Sequence, residues 1–253
     1  MLHVAPPVGP EGGAALVLLH GFTQTGASWD PLVPALAARH RVHRVDLPGH
    51  GGSADLELDL ADTAAALAGP LGPATWLGYS MGGRVALRLA LDHPEAVEGL
   101  VLVGATAGLD DPAERAARRA ADEELARTVE RDGVDAFLDR WLAQPLFATL
   151  DPERAGREAR RANTAAGLAA SLRRSGTGTM DPPWWDELPA LGRAGVPVTV
   201  VAGEHDDRFR ALGARLADGI GPTATTVMVP GTGHACHLED PDGFLAAVGP
   251  ALP

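Results

Sequence analysis

Cysteine is almost absent from this 253-residue chain: the one thiol, Cys236, excludes an internal disulfide framework and fits a reducing compartment. No apolar run is long enough to span a bilayer, so membrane insertion is not expected. The opening Met1-Leu2-His3-Val4-Ala5-Pro6 lacks the charged and apolar regions of a secretion signal, and the expected location is cytoplasmic. Positive charge is in short supply. Lys plus Arg number 21 against 33 for Asp plus Glu, a net charge of −12, which argues against nucleic acid or an anionic membrane as a partner. There is no G-x-x-x-x-G-K-[ST] phosphate loop and no dinucleotide fingerprint. Cys236 stands between His234 and His237, but no fourth ligand has suitable spacing, so neither a metal nor a cofactor is expected. Whether the chain forms a homo-oligomer stays open.

What is present suits one large α/β domain. Hydrophobic residues make up 45% of the chain, enough to bury a substantial core. Short apolar runs end in turn residues: Leu16-Val17-Leu18-Leu19 before His20-Gly21, and Val42-His43-Arg44-Val45 before Asp46. Leu100-Val101-Leu102-Val103, residues 196–202 and residues 225–229 follow the same rule. Helical patterns over 56–67, 84–91, 209–217 and 243–248 lie between them, which predicts a mostly parallel sheet covered on both faces. From 110 to about 175 that rhythm stops, and an Ala-, Arg- and Glu-rich stretch reads as a helical insertion over the carboxyl ends of the strands. The expected divisions are a core in two parts, 1–109 and 181–253, with a helical cap over 110–180.

The stretch richest in chemistry is Gly78-Tyr79-Ser80-Met81-Gly82, a G-x-S-x-G nucleophile elbow. Apolar Thr75-Trp76-Leu77 precedes it and a helix-forming run from Gly83 follows, the strand–turn–helix setting that lifts a serine hydroxyl clear of the backbone. Such a serine needs a histidine and an orienting acid, met in the order Ser, acid, His. His234, in a Gly-rich loop after the last strand, is the candidate base, with His237 as its competitor. Asp206 is the candidate acid among Glu204, Asp206 and Asp207, because a short turn after the strand can aim it at His234. The amides of Met81 and Phe22 are candidates for an oxyanion hole. His20 reads as a structural histidine of its loop.

With these residues the chain resembles the α/β-hydrolase superfamily along nearly its full length. Within it the chain resembles the 2-succinyl-6-hydroxy-2,4-cyclohexadiene-1-carboxylate synthases of menaquinone biosynthesis. The selective stretches are Gly82-Gly83-Arg84 after the elbow, Trp141-Leu142-Ala143-Gln144-Pro145, and Ser171-Leu172-Arg173-Arg174-Ser175-Gly176-Thr177-Gly178; Gly203-Glu204-His205-Asp206-Asp207-Arg208-Phe209 and the segment from Gly233 to Pro241 also carry the match. The resemblance implies a lyase in which Ser80, Asp206 and His234 abstract a proton and eliminate pyruvate from a polycarboxylate cyclohexene. It implies substrate binding by Tyr79, Arg84, Arg118, Trp141 and Arg161, the last with Arg160 directly beside it. Arg115 and Arg119 are expected on other helix faces and nearly neutral when mutated. Met180-Asp181 departs from many relatives and leaves the loop before Trp184-Trp185 open. Two other classes remain: a serine carboxylesterase or lactonase using the same triad, and a non-catalytic ligand receptor.

Overall fold

The computed structural model describes residues 1–252. Seven strands form one sheet: β1 (His3–Val4), β2 (Ala14–Leu19), β3 (His40–Asp46), β4 (Ala74–Tyr79), β5 (Val97–Val103), β6 (Val198–Gly203) and β7 (Ala224–Val229). Their spatial order is β1-β3-β2-β4-β5-β6-β7. Only β1 runs antiparallel, pairing His3 with Asp46. This strand carries too short an apolar signal to be read from sequence. The helices are α1 (Val33–Leu36), α2 (Leu60–Leu71), α3 (Met81–Asp92), α4 (Pro112–Leu142), α5 (Arg157–Arg160), α6 (Ala165–Ser175), α7 (Pro189–Ala194), α8 (Asp207–Ile220), α9 (Cys236–Glu239) and α10 (Pro241–Val248).

The strand sequence explains the layers. In β2, Leu16 and Leu18 join one core with Trp29, Leu36 of α1 and Phe244 and Val248 of α10. Val17 and Leu19 point the other way, into a core with Leu67 of α2, Val85 and Leu89 of α3, Leu191 of α7 and Leu216 of α8. Side chains alternate across a strand, so a continuous apolar run fills both sides of a buried parallel sheet.

Between β5 and β6 the chain leaves the sheet for the helical insertion, which runs through α4 to α7. Pro112 sits at the first turn of α4, and the Asp111 side chain caps it by accepting from the Ala113 amide. Gly133, with φ 80°, breaks the helical geometry within α4. The insertion has a small core of its own: Ala126, Val129 and Phe137 of α4 against Leu168, Ala169 and Leu172 of α6. Arg115 and Asp181 lock its base. The Arg115 guanidinium is buried, donates to the carbonyls of Leu109 and Asp110, and pairs with Asp181 at 3.0 Å. Arg119 donates to the Gly178 carbonyl. Both arginines thus stand on helix faces away from the cavity lining and turn onto the 177–181 loop. Among the described residues, no helix is long and apolar enough to cross a membrane.

Candidate active site

Strand β4 ends at Tyr79, and Ser80 takes φ 52° and ψ −104° before α3 begins at Met81. That backbone is strained for a residue with a side chain, and such strain persists only where the surroundings enforce it. The Ser80 amide donates to the Val103 carbonyl and the Gly82 amide to the His20 carbonyl. A side chain on Gly82 would run into the Leu19 and His20 carbonyls, so the elbow requires glycine there.

Two loops at the same end of the sheet converge on the serine. The Ser80 hydroxyl lies 3.3 Å from His234 Nε2, a long hydrogen bond of the kind that tightens when substrate is engaged. His234 Nδ1–H donates to Asp206 Oδ2 at 2.7 Å, and both side chains are buried. Asp206 Oδ1 also accepts from the Phe209 amide at 3.2 Å, so one carboxylate caps α8 and orients the imidazole. Gly104, with φ +57°, clears space for the ring: a Cβ there would stand 2.8 Å from His234 Cε1. The rings of Phe209, Tyr79 and Phe147 surround His234 at centroid distances of 4.4, 5.3 and 6.4 Å.

The neighbouring acids and histidine fall elsewhere. Glu204 accepts from the Gly231 amide at 2.7 Å, and exposed Asp207 pairs with Arg210. His237 is fully buried against Tyr79 and Trp29, and burial lowers its pKa to about 3, so the ring stays neutral. Burial pushes the Cys236 thiol up to about 12, which makes it a packed thiol at neutral pH. His20 bridges its own loop: Nδ1–H donates to the Gly21 carbonyl and Nε2 accepts from the Leu47 amide.

A cavity of about 890 Å³ opens above Ser80, lined by Phe22, Tyr79, Met81, Trp141 and His234 among others. Among the described residues, the backbone amides of Phe22 and Met81 make no hydrogen bond within the protein. Met81 opens α3, where helix amides lack internal acceptors and the dipole favours negative charge. Trp141 packs edge-on to Phe22 at 4.9 Å between centroids. Gln144 folds back onto Trp141, its amide donating to the Trp141 carbonyl at 3.0 Å.

Arg84, Arg118 and Arg160 line the cavity, as do Arg208 and Arg215 of α8. Arg84 is buried and donates to the Ser175 carbonyl at the carboxyl end of α6, where backbone carbonyls favour a cation. Burial, together with Arg118, lowers it to about 10 against the pull of Asp122, so it stays protonated at neutral pH. Arg118 uses Nε on both oxygens of Asp122 at 2.9 Å, which leaves its terminal nitrogens for the cavity. Burial raises the Asp122 carboxyl in spite of Arg118 and Arg84. Arg160 is the third, and here an expectation is corrected. Arg161 does not line the cavity; it lies outside, bonded to Asp135 and Glu158. Arg160 is buried, lines the cavity, and donates to the Ala155 carbonyl and to Thr23 Oγ1. Successive helical residues point about 100° apart, so a slip of one residue exchanges the inward and outward side chains. Arg208, which was not singled out from sequence, also lines the cavity, its guanidinium 5.8 Å from the Phe209 ring centre.

Residues 16–247 match the alpha/beta hydrolase family. A 2-succinyl-6-hydroxy-2,4-cyclohexadiene-1-carboxylate synthase of Escherichia coli O1:K1 / APEC is 34% identical over 259 residues, covering 100% of this chain and 99% of that protein. The structure of MenH from S. aureus superposes with a TM-score of 0.85 at 30% identity, covering 96% of this chain and 94% of the other. A malate-bound thermophilic esterase from Thermogutta terrifontis superposes with a TM-score of 0.81 at 26% identity, over 98% of this chain and 92% of the other. Elbow, sheet order, helical insertion and full-length similarity lead to one statement: the chain belongs to the α/β-hydrolase family.

Proposed function

We propose that the protein is a carbon–oxygen lyase that eliminates pyruvate from a succinyl-enolpyruvyl-hydroxycyclohexene-carboxylate, the chemistry of the synthases it resembles. The observation that carries this reading is the set of Arg84, Arg118 and Arg160 around one cavity with Ser80 and His234. Guanidinium groups bind carboxylates through a planar fork that fixes orientation, and a net charge of −12 makes such local cations necessary for a polyanion.

In this reading His234 Nε2 takes the Ser80 proton, and the serine oxygen removes the acidic ring proton held against it. The electron pair of that C–H bond forms a ring double bond. The ring C–O bond to the enolpyruvyl group breaks, and its electrons leave with pyruvate enolate, which is protonated to pyruvate. Asp206 stabilises the imidazolium that forms in between. The Phe22 and Met81 amides stabilise negative charge developing on a substrate oxygen. Tyr79 and Trp141 shape the pocket, and no cofactor takes part.

A serine carboxylesterase or lactonase is the alternative, favoured by the serine–histidine–aspartate contacts and by the likeness to the Thermogutta esterase. Intact-mass spectrometry during turnover separates the two. The lyase reading expects free pyruvate and an unmodified Ser80. An acyl adduct on Ser80, or rapid cleavage of simple esters with no pyruvate formed, overturns it.

A further inference from the structure

Thr23 is one of two residues other than glycine that hold a positive φ among the described residues; the other is Ser80 itself. At φ 69° a β-branched residue is strained, and every polar group it carries is held. Its amide donates to His50 Nε2 at 3.2 Å. Its carbonyl accepts from Asn163 Nδ2 at 2.6 Å, and its hydroxyl accepts from Arg160. His50 is set for this task, because its Nδ1–H donates to the Pro48 carbonyl and leaves Nε2 bare. Asn163 is likewise used in full: Nδ2 also donates to the Arg160 carbonyl, and Oδ1 accepts from the Gly51 amide at 2.9 Å. The residue before Thr23 is Phe22. A turn closed by Gln24 on Gly21, through both backbone and side chain, brackets the Phe22 amide.

Two of those three partners, Arg160 and Asn163, come from the helical insertion, 137 and 140 residues away in sequence. Asn163 does not line the cavity, so it has no substrate to touch. We infer that Arg160 and Asn163 form a latch by which the insertion holds strained Thr23 and so aims the Phe22 amide into the cavity. The oxyanion site is then complete only while the insertion is docked. Asn163 and Thr23 are positioning residues, and Arg160 serves both pocket and latch. The inference rests on the Phe22 amide serving the reaction proposed above.

The test uses Thr23→Val, Thr23→Ser and Asn163→Ala in the full chain. Steady-state pyruvate release gives kcat and KM, hydrogen exchange reports the segment around residues 21–24, and labelling of Ser80 by a fluorophosphonate gives a second rate. In labelling, the Ser80 Oγ–P bond forms as the P–F bond breaks, fluoride leaves, and the serine proton passes to His234. Small displacements of an aimed group cost up to about 100-fold in rate. Thr23→Val and Asn163→Ala are expected to lower kcat and the labelling rate by roughly 10- to 100-fold with KM changed less than about threefold. Exchange should speed up around residues 21–24 in both variants, and in Asn163→Ala also at Gly51, whose amide loses its acceptor. Thr23→Ser keeps the hydroxyl and should stay near wild type. If Thr23→Val and Asn163→Ala keep wild-type kcat, if the loss lies wholly in KM, or if Thr23→Ser fails as badly as Thr23→Val, the latch is wrong. Should Asn163→Ala not fold, Thr23→Val against Thr23→Ser decides. If wild-type protein releases no pyruvate, the proposed reaction fails, while the labelling rates still decide the latch.

Discussion

The strand-end loops and the helical insertion build the same cavity by opposite means. At the strand ends each functional side chain is fixed by strained backbone or a short buried bond: Ser80 by its φ of 52°, His234 by Asp206 at 2.7 Å. The sheet beneath buries apolar residues on both faces. The insertion has a core of six buried residues of its own and presents Arg118 from α4, which is broken at Gly133, and Arg160 from the short α5, which starts after Gly156. Its outer face is laced with exposed pairs such as Arg173 with Glu123 and Glu130, which contribute little stability. Ser80, His234 and Asp206 therefore sit on the stiff part together with Arg84 of α3, whereas Arg118 and Arg160 sit on the part able to open first. The difference teaches a division of labour, and each prediction below strains it at one point.

Removing the reacting oxygen has the largest effect expected. Ser80→Ala should lower kcat for pyruvate release by at least roughly 10⁴-fold, since members of such a unit act together. KM should change little, because the arginines that bind are untouched.

On the insertion, the sharpest contrast is between two neighbours. Arg160→Ala should cost about 2–5 kcal/mol in kcat/KM, the range for losing one partner of a desolvated charge pair. Arg161→Ala should leave kcat/KM within about twofold, because that side chain binds only exposed Asp135 and Glu158. Equal losses in the two would mean that the cavity wall has been assigned to the wrong residue.

Acid should strike the sheet side. Burial lowers His20 to about 4 and His50 and His237 to about 3, all from an ordinary 6.5. Each is neutral when folded and takes up a proton once unfolded, so below pH 6.5 the unfolded state binds more protons and stability falls. At pH 5 the loss is about 2 kcal/mol per histidine, and above pH 6.5 it vanishes. Residues 110–180 contain no histidine. Urea unfolding at pH 7 and pH 5 measures the total, and His237→Phe should flatten the slope.

A smaller effect is structural alone. Arg115→Ala should destabilise the fold by about 1–3 kcal/mol by leaving the Leu109 and Asp110 carbonyls without their donor. The folded fraction should keep wild-type kcat, read as turnover per native molecule alongside a urea midpoint.

Legibility followed the same divide. The elbow, the carboxylate after β6 and the histidine after β7 could be read from sequence, because each stands one turn beyond an apolar run in fixed register. The parallel strands were readable for the same reason. In the insertion, function depends on helix rotation, which no local pattern fixes. Arg160 and Arg161 differ by one step, and Arg115 and Arg118 by three, yet their side chains go to different places. All 21 cationic side chains of the chain are arginines, so residue type could not mark those at the cavity. Thr23 and Asn163 carried no signal, since a positive φ on threonine and a contact across 140 residues exist only in the folded chain.

Arg118→Ala tests the division of labour most directly, with two rates measured on one preparation. Arg118 stands on α4, keeps its terminal nitrogens for the cavity and makes no bond to Ser80 or His234. The expected result is a loss of roughly 30-fold in kcat/KM for pyruvate release from the polycarboxylate, about 2 kcal/mol, with fluorophosphonate labelling of Ser80 unchanged. If both rates fall together, or if pyruvate release is untouched, the insertion does not select the charged substrate and a generic serine hydrolase becomes the better account.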